Sequence, residues 1–318
     1  DALDISLTVS GMLNAHPVPL LQTMRKTVVD GSNTSGFQRT TLVATAGVLE
    51  TECGPVGIDV LCLEEDSARK LDSELTKNGE IVTWNLDRLG IPLIEIATAP
   101  DVKSPEHAKQ TAIALGRTLR DTRRVRRGLG SIRQDLNVSI MCGDRVEIKG
   151  CQDLEWIPKI IRKEMARQLH FFRLANRLRQ ESNLPLLSTD RREQSVSVSK
   201  EVAQMLPLKI IDVSKAFSSC DSKMVKQGLA NDSVMLALPL PGFATYIGTK
   251  TIDEDGAQMP RLGRELAGAA KLAGVAGIFH SDELPAYGIE QEQVESTRAL
   301  LEGSDAFVLC LAPVWQAE

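Results

Sequence analysis

The stretch Thr41–Asp66, TLVATAGVLETECGPVGIDVLCLEED, decides how the first half of this chain of 318 residues folds. It consists of short runs of Val, Ile, Leu and Thr, and Gly, Pro and acidic residues separate the runs. A second stretch of the same type, GEIVTWNLDRLGIPLIEIATAP, lies at Gly79–Pro100. Short β-branched runs with turn residues between them predict antiparallel strands. We therefore expect an antiparallel sheet at the centre of the first domain.

Two helices are predicted after these strands. Ser104 precedes Pro105 and the run HAKQTAIALGRTLR. A serine cap with proline at the first helical position predicts a helix that extends to Arg120. The segment Asp153–Glu181 carries apolar residues at helical spacing, which predicts a long helix that closes the first domain. We expect an α+β fold whose first domain is mainly an antiparallel sheet with flanking helices.

The length of the chain and a change of pattern near Pro207 predict a second, smaller domain. A chain of 318 residues is typical of about two domains. From Pro207 onward, strand-like and helical segments alternate, as in an α+β module of about 100 residues. The predicted organisation is a first domain at 1–180, a polar linker at 181–206 and an α+β domain at 207–318.

Composition narrows the possible classes of protein. Hydrophobic residues make up 42% of the chain and charged residues 25%, as in globular proteins, and the net charge of -5 gives no overall basic field. The six cysteines form no C-x-x-C pair, so we expect free thiols and no zinc knuckle. No run approaches the roughly 20 apolar residues of a membrane span, and no leader opens the chain. The expected location is cytoplasmic, without a membrane.

The stretch Asn33–Thr40, NTSGFQRT, concentrates hydrogen-bond donors around one glycine. Ser35 offers a hydroxyl, Gln38 an amide and Arg39 a planar cation, and all three lie close to Gly36. The residues alone leave open what so many donors on one turn would bind.

Acidic residues on predicted strands form a second group of candidates. Glu95 interrupts an apolar strand, and period-2 alternation places it on the face opposite Ile94 and Ile96. It is either a solvated glutamate on an outer face or a carboxylate that binds a metal or a substrate ammonium group. Converging oxygen ligands would suit Mg²⁺, although outward-facing charges give the same pattern. Three more acidic residues, Asp135, Glu147 and Glu155, lie on nearby segments, and Asn137 could add an amide oxygen to the same group.

A cluster of arginines follows the predicted helix that starts at Pro105. Planar guanidinium groups in a basic turn can bind successive phosphates of a nucleic acid. A solvated basic loop that binds no phosphate is an equal alternative to this interpretation. The glycines in RGLGS lack the spacing and the lysine of a phosphate-binding P-loop. No G-x-S-x-G elbow or paired Cys and His indicates a hydrolase. The cluster consists of Arg117, Arg120, Arg123, Arg124, Arg126 and Arg127.

Five segments together resemble the cradle domain of the amidotransferase B/E family over about residues 5–175. They read MRKTVVDGSNTSGFQRT, GPVGIDVLCLEEDSARKL, NLDRLGIPLIEIATAPDVKSPEHAK, RRGLGSIRQDLNVSI and RVEIKGCQDLEWIPKIIRKEM. The letters SGFQR resemble the archaeal, E-type branch of that family. In the second domain, LPGFATYIG, RLGRELAGAAKLAGVAGIFHSDELPAYGI and DAFVLCLA resemble the insertion domain that this branch shares with bacterial-type aspartyl-tRNA synthetases.

This resemblance implies a two-step ligase reaction. ATP phosphorylates the γ-carboxylate of glutamate on Glu-tRNA(Gln), and ammonia then displaces phosphate to leave Gln-tRNA(Gln). Such a reaction requires Mg²⁺ and fixed cations around the transferred phosphoryl group. The resemblance also implies an asparaginase-like, D-type partner protein as the ammonia source, and therefore a hetero-oligomer, a dimer of heterodimers.

The resemblance assigns expected roles to the candidates. Lys26, Ser35, Gln38 and Arg39 would be catalytic donors, with Lys26 and Arg39 also contacting nucleotide. Glu147 has a second interpretation, a strand ion pair with Lys149 or Arg145. The residues expected to handle metal and ammonia are Glu95, Asp135, Asn137 and Glu147. The residues expected to bind tRNA are Arg123, Arg124, Arg126 and Arg127.

One departure from the family leaves a second function open. The family's first strand carries a G-L-E-x-H-type motif, which would lie before the opening DALDISLTVSGMLNA, and its tRNA-binding C-terminal domains would follow Glu318. We therefore expect a fragment whose first domain is incomplete at its N-terminus. The alternative function is a non-catalytic tRNA-binding or scaffolding piece of the complex.

Overall fold

A computed structural model describes residues 1–76, 79–128, 130–194, 209–252, 256, 258–275 and 277–314. Its contacts divide the chain into two compact units. The first comprises Asp1–Val138 and Val146–Lys163, and the second comprises Ser139–Arg145 and Glu164–Glu318. Helices and mainly antiparallel strands occur in both units, which confirms the predicted α+β class.

An antiparallel sheet forms the centre of the first unit, as predicted. The Thr41–Asp66 stretch provides most of β3 and β4, which pair along nearly their whole length with one register shift between Leu42 and Ala44. The strand order is β1-β3-β4-β7, and β2 also pairs with β3. The strands are β1 (His16–Pro17), β2 (Thr23–Thr27), β3 (Phe37–Leu49), β4 (Val56–Glu65) and β7 (Pro92–Thr98).

The core of the first unit lies on one face of this sheet. Val43 and Leu61 are fully buried there, and leucines of two helices pack around them. These helices are α1 (Ala2–Met12) and α2 (Pro105–Asp121). The start of α2 is as predicted, since the Ser104 hydroxyl accepts a hydrogen bond of 3.1 Å from the backbone N–H of His107.

Two separate ribbons complete the sheet structure of the first unit. Strands β5 (Arg69–Thr76) and β6 (Gly79–Asn85) form one, and β8 (Leu136–Val138) and β9 (Val146–Ile148) form the other. A 3₁₀ turn then leads into α3 (Ile157–Glu181), the predicted long helix. The loop of the second ribbon and most of α3 belong to the second unit.

The second unit is built on a four-stranded antiparallel sheet with order β10-β11-β13-β12. Phe217, Met235, Phe307 and Leu309 are fully buried in its core. Its strands are β10 (Ile211–Asp212), β11 (Ser233–Pro239), β12 (Ile278–His280) and β13 (Phe307–Pro313). Its further helices are α4 (Lys223–Ala230), α5 (Leu262–Leu272) and α6 (Gln291–Leu300).

The predicted domain boundaries stay a prediction. Residues 195–206 of the predicted linker lie outside the described residues. The preceding segment is hydrogen bonded to α3, where Asn176 accepts from the backbone N–H of Leu187 at 2.7 Å. Across the described ranges, no helix is both long and apolar enough to cross a membrane.

Candidate functional site

The face of the first sheet opposite the core carries a group of polar side chains. Ile94 and Ile96 pack against the core, so strand alternation turns Glu95 to the other face, as predicted. The strand register aligns Cys62 with Glu95 and Glu64 with Thr40, and it pairs Lys26 with Gln38. We call this group the polar face; it consists of Lys26, Gln38, Thr40, Cys62, Glu64 and Glu95.

Glu64 is the centre of the polar face. Its side chain is only 10% exposed, and its Oε1 accepts hydrogen bonds from Lys26 Nζ and, at 2.8 Å, from Thr40 Oγ1. Burial by itself would raise the pKa of Glu64, but the hydrogen bonds from Lys26, Thr40 and Glu95 outweigh it and lower that pKa. Glu64 is therefore the ionised member of the group, and Lys26 is its counter-ion.

Glu95 has the opposite electrostatic environment. Loss of hydration raises its pKa, and the hydrogen bond to Glu64 and the negative charge of Glu64 raise it further. The two neighbouring carboxyl groups therefore have pKa values that are shifted in opposite directions. Perturbed pairs of this type are characteristic of functional sites, and a bound cation would relieve their repulsion.

The β8–β9 ribbon brings three more charged residues together. Lys149 Nζ lies 3.5 Å from Asp135 Oδ2 and 3.4 Å from Glu147 Oε1. The charge of Asp135, followed by the hydrogen bond to Glu147, raises the pKa of Lys149. The positive charge of Lys149 also acts on Glu95, where it offsets part of the rise in the pKa of that carboxyl group. Of the two interpretations of Glu147, the ion pair with Lys149 is the contact that the structure contains. Asn137 pairs with Glu147 across the two strands of the ribbon.

The donor-rich turn is anchored by its own neighbours. Asn33 is buried and donates to Ser67 Oγ at 3.1 Å, and the backbone N–H of Ala68 donates to the carbonyl of Ser32 at 2.8 Å. Asp30 accepts from both the hydroxyl and the backbone N–H of Ser32, which lowers the pKa of Asp30. These contacts attach the turn to the segment that follows β4.

The four predicted donors do not all lie on the same face of the sheet. Lys26 and Gln38 lie on the polar face, and the Gln38 amide donates to the backbone carbonyl of Glu65. Ser35 is exposed and donates to the carbonyl of Phe37 at 3.0 Å. Arg39 alternates to the opposite face, where its Nε donates to Glu65 at 2.8 Å. The catalytic roles of these residues stay predictions.

The predicted magnesium ligands fit the ion only in part. Within the described part of the chain, no three Asp, Glu, His or Cys side chains converge on a common point that could hold a metal ion. Mg²⁺ is often held by one or two carboxylates and completes its shell with water and substrate phosphates. Glu64 and Glu95 offer such a pair, whereas Asp135 and Glu147 both contact Lys149. The donor chemistry therefore fits a two-carboxylate site on the polar face.

Asp66, which sequence reasoning missed, fixes the end of β4 beside this site. Its side chain is 9% exposed and accepts from Arg88 at 2.8 Å and from Arg133 at 3.3 Å. Arg133 lies two residues before Asp135, so the ion pair attaches the segment that leads into the β8–β9 ribbon. Asp66 thus links the strand that carries Glu64 to the strand that carries Asn137.

The predicted tRNA-binding arginines lie on an exposed loop after α2. Among the described residues, none of the four forms an ion pair with a carboxylate. Arg123 adopts a left-handed backbone conformation with φ of 57°, and Gly128 has φ of 111°. The exposed residues are Arg123, Arg124, Arg126 and Arg127.

Comparison with known proteins agrees with this architecture. Residues 1–204 match the model of the GatB/GatE catalytic domain. The chain belongs to the GatB/GatE family. The match covers the whole first unit, and with it the polar face and the β8–β9 ribbon.

Relatives of this GatB/GatE chain include archaeal proteins named as the E-type subunit, GatE, of glutamyl-tRNA(Gln) amidotransferase. The chain is 46% identical to the one from Pyrococcus furiosus over 98% of its own length and 46% of the relative. It is 44% identical to the one from Methanosarcina acetivorans over 97% of its length and 44% of the relative. It is 44% identical to the one from Methanocaldococcus jannaschii over 97% of its length and 45% of the relative. The chain thus spans a little under half the length of these curated relatives.

Within this GatB/GatE chain, Glu64 is the main residue that sequence reasoning missed. It lies in the acidic run LEED at the end of a strand, where acids usually mark a turn. Period-2 alternation from the fully buried Leu61 contained the signal, because it places Leu63 on the core face and Glu64 on the other. The same criterion places Glu95 on that face.

Proposed function

We propose that the full-length protein to which this chain corresponds converts Glu-tRNA(Gln) to Gln-tRNA(Gln) in an ATP-dependent transamidation. Family membership and the names of the archaeal relatives support the substrate class. The observation that carries the proposal is the Glu64–Glu95 pair, in which the two carboxyl groups interact beside Lys26 on the open face of the sheet and have pKa values shifted in opposite directions. Such a group suits chemistry in which charge and protons move at a carboxyl substrate.

Lys26 and Gln38 would orient the reacting groups in the first step, in which the γ-carboxylate attacks the terminal phosphorus of ATP, the bond from that phosphorus to the bridging oxygen breaks, and ADP leaves. Although desolvation acts against it, the hydrogen bond from Lys26 to Glu64 raises the pKa of Lys26, so the side chain stays cationic. A fixed cation stabilises the negative charge on phosphate oxygens. Arg39 is proposed to contact the nucleotide from the other side of β3.

Glu95 would accept a proton in the second step. Ammonia attacks the acyl phosphate as neutral NH₃, a C–N bond forms, and the C–O bond to phosphate breaks. The nitrogen then has to lose a proton, and Glu95 is the proposed acceptor. Glu64 would hold Lys26 and Thr40 in place throughout both steps.

ATP is the proposed co-substrate and Mg²⁺ the proposed metal. Glu64 and Glu95 would hold the ion, together with water and phosphate oxygens, and the ion would neutralise charge on the transferred phosphoryl group. Asp135, Asn137 and Glu147 are proposed to surround this group from the β8–β9 ribbon.

The proposed partners are Glu-tRNA(Gln) and an asparaginase-like, D-type protein that releases ammonia, in a cytoplasmic dimer of heterodimers. The loop arginines are exposed and, among the described residues, unpaired, which favours contact with tRNA phosphates. The same observation supports the second candidate function, a non-catalytic tRNA-binding or scaffolding role for this part of the complex.

ATP hydrolysis that requires Glu-tRNA(Gln) distinguishes the two functions. We expect the full-length protein in its complex to hydrolyse ATP only with Mg²⁺ and Glu-tRNA(Gln), and to lose this activity in a Glu64→Gln variant. A non-hydrolysable ATP analogue with Mg²⁺ should stabilise the fold by about 2.7 kcal/mol at 100 times its Kd. tRNA binding without nucleotide-induced stabilisation or ATP hydrolysis would leave only the scaffolding role.

A further inference from the structure

The segment that leads into the β8–β9 ribbon has few contacts of its own with the main sheet, which consists of β1, β2, β3, β4 and β7. The ribbon contains three residue pairs, and two-stranded ribbons of this size are marginally stable by themselves. Residues 132–135 precede β8, and in the described part of the chain no backbone hydrogen bond joins them to the main sheet. The position of this segment within the first unit therefore depends on side chains.

Arg133 attaches this segment to a carboxylate at the end of β4. Its Nη2 donates to Asp66 Oδ1 at 3.3 Å, and the Asp66 side chain is only 9% exposed. The same Oδ1 accepts from the backbone N–H of Ser67 at 3.0 Å, and the backbone N–H of Asp66 donates to the carbonyl of Ile91 at 2.8 Å. Because these contacts hold Asp66 in place, it gives Arg133 one defined anchor.

The contact between Arg133 and Asp66 lies close to the candidate site along the chain. Arg133 lies two residues before Asp135, which contacts Lys149 at 3.5 Å. The charge of Lys149 acts on Glu95 of the polar face. Asp66 directly follows β4, which pairs with the strand that carries Glu95. The contact therefore joins the segment that carries Asp135 to the strands of the polar face.

Glu95 has a position that does not depend on such a contact. Its strand, β7, pairs with β4 at seven positions, so the register of the sheet holds it. Among the residues that the structure describes, the β8–β9 ribbon forms no strand pair with the main sheet. Loss of one side-chain contact should therefore displace Asp135 and Asn137 but leave Glu95 in place.

We propose that Arg133, held by Asp66, is a positioning residue for transamidation. It fixes the segment before β8 and thereby sets where Asp135 and Asn137 lie relative to the polar face. This inference rests on the proposed function, in which both residues surround the transferred phosphoryl group. A displacement of about 1 Å in a reacting site can cost on the order of 100-fold in rate, so an ion pair outside the site can control turnover.

Arg88 provides a matched control for Arg133. Its Nε donates to the other oxygen of the same carboxylate, Asp66 Oδ2, at 2.8 Å, and its side chain is 40% exposed, compared with 48% for Arg133. It belongs to the turn before β7, where backbone hydrogen bonds also join Asp66 to Gly90 and Ile91. Arg133→Gln and Arg88→Gln therefore remove the same type of contact, but only Arg133→Gln releases the segment before β8.

Hydrogen exchange reports on the ribbon without any measurement of activity. In the full-length protein within its complex, we expect Arg133→Gln to speed amide exchange at residues 136–138 and 146–148 about 10-fold. Arg88→Gln should leave exchange at these residues within about 2-fold of wild type. Arg133→Lys keeps a cationic donor for the single hydrogen bond and should restore most of the protection. Unchanged exchange in Arg133→Gln would overturn the inference.

Kinetics distinguishes positioning from a general loss of stability. Arg133→Gln should lower kcat for tRNA-dependent ATP hydrolysis about 10-fold, with the KM for ATP within about 2-fold and Tm within about 4 °C of wild type. Arg133→Lys should recover most of the lost kcat, and Arg88→Gln should retain it. An equal fall of kcat in Arg88→Gln would contradict the proposed role of Arg133.

A double variant tests whether Arg133 acts through Asp66. Asp66→Asn removes the charge that holds Arg133, so by itself it should lower kcat to a similar degree. In the Arg133→Gln background it should cause little further loss, since residues that act through one contact are non-additive. Fully additive losses would count against the inference. Wild-type protein without tRNA-dependent ATP hydrolysis would refute the proposed function alone, because the exchange measurement does not depend on activity.

Discussion

Replacing Arg126 and Arg127 by glutamine tests whether the exposed arginine loop contacts tRNA. Both side chains are exposed, and within the described ranges neither is paired with a carboxylate. Each guanidinium is therefore available for a phosphate. The chain is acidic overall, so a proposed contact with tRNA needs local positive charge, and this loop is the densest run of arginines in the sequence.

The expected magnitude follows from counterion release. Each phosphate contact contributes about 0.9 to the slope of log affinity against log salt on a duplex, so removing two contacts should flatten the slope by about 1.8. Over a fourfold range of salt, this difference corresponds to about a 10-fold smaller loss of affinity. The substitutions are on an exposed loop and should change the free energy of unfolding by no more than about 0.5 kcal/mol.

The assay is titration of labelled Glu-tRNA(Gln) with the full-length protein at several salt concentrations. Its control replaces the exposed residues Arg264 and Arg298 of the second unit by glutamine, which removes the same charge elsewhere. We expect a flattened slope, a higher KM for tRNA and an unchanged KM for ATP only in the loop variant. An unchanged slope, or equal flattening in the control, would refute the assignment of this loop to the tRNA interface.

Three further predictions concern the first unit. Glu95→Gln should abolish tRNA-dependent ATP hydrolysis while unfolding stays cooperative, because an amide keeps the shape but not the charge that a hard cation needs; near-normal turnover would exclude Glu95 as a ligand. Arg39→Lys should lower kcat/KM for ATP about 10-fold, since lysine cannot provide paired planar donors; a parallel fall in Tm would indicate a structural role with Glu65. Asp66→Ala should cost about 2–3 kcal/mol in the unfolding of the first unit, because the partly exposed Arg88 and Arg133 lose their carboxylate; a change under about 0.5 kcal/mol would contradict this.

Each of these variants has a control in the same unit. Glu80→Gln removes a carboxylate from the β5–β6 ribbon, where it contacts Lys70 and Ser73 on the exposed surface. It should affect neither ATP hydrolysis nor the KM for ATP. Lys70→Ala removes a surface ion pair and should change unfolding by under about 1 kcal/mol, in contrast to Asp66→Ala.

Local chemistry made much of the fold predictable. The cap at Ser104 and the proline after it lie within one helical turn, so the start of α2 followed from adjacent letters. The strands β3 and β4 followed from alternation and turn residues in Thr41–Asp66. Helix α1 was not predicted, because Ala2–Met12 mixes polar and apolar residues without a clear apolar stripe.

The candidate site was only partly predictable. Glu95 was identified because it is a charge inside an apolar strand, and its face was correct. Glu64 was missed because its neighbours in sequence are also acidic, although alternation from Leu61 places Glu64 and Glu65 on opposite faces. For Glu147, the sequence left a metal ligand and an ion pair as alternatives, and the contact with Lys149 at 3.4 Å appears only in the folded ribbon.

The α+β class, the strands of the first sheet and the face on which Glu95 lies follow from local sequence patterns, because these features depend on residue order within a few positions. Which charged side chains contact each other depends instead on tertiary packing. Glu64 and Glu95 are neighbours because β4 pairs with β7 in one register, and a slip of one residue would move Glu95 to the core face. Gln168 meets Ile140 because a helix packs against a distant loop. Such contacts depend on packing between separate segments, which local sequence patterns do not encode.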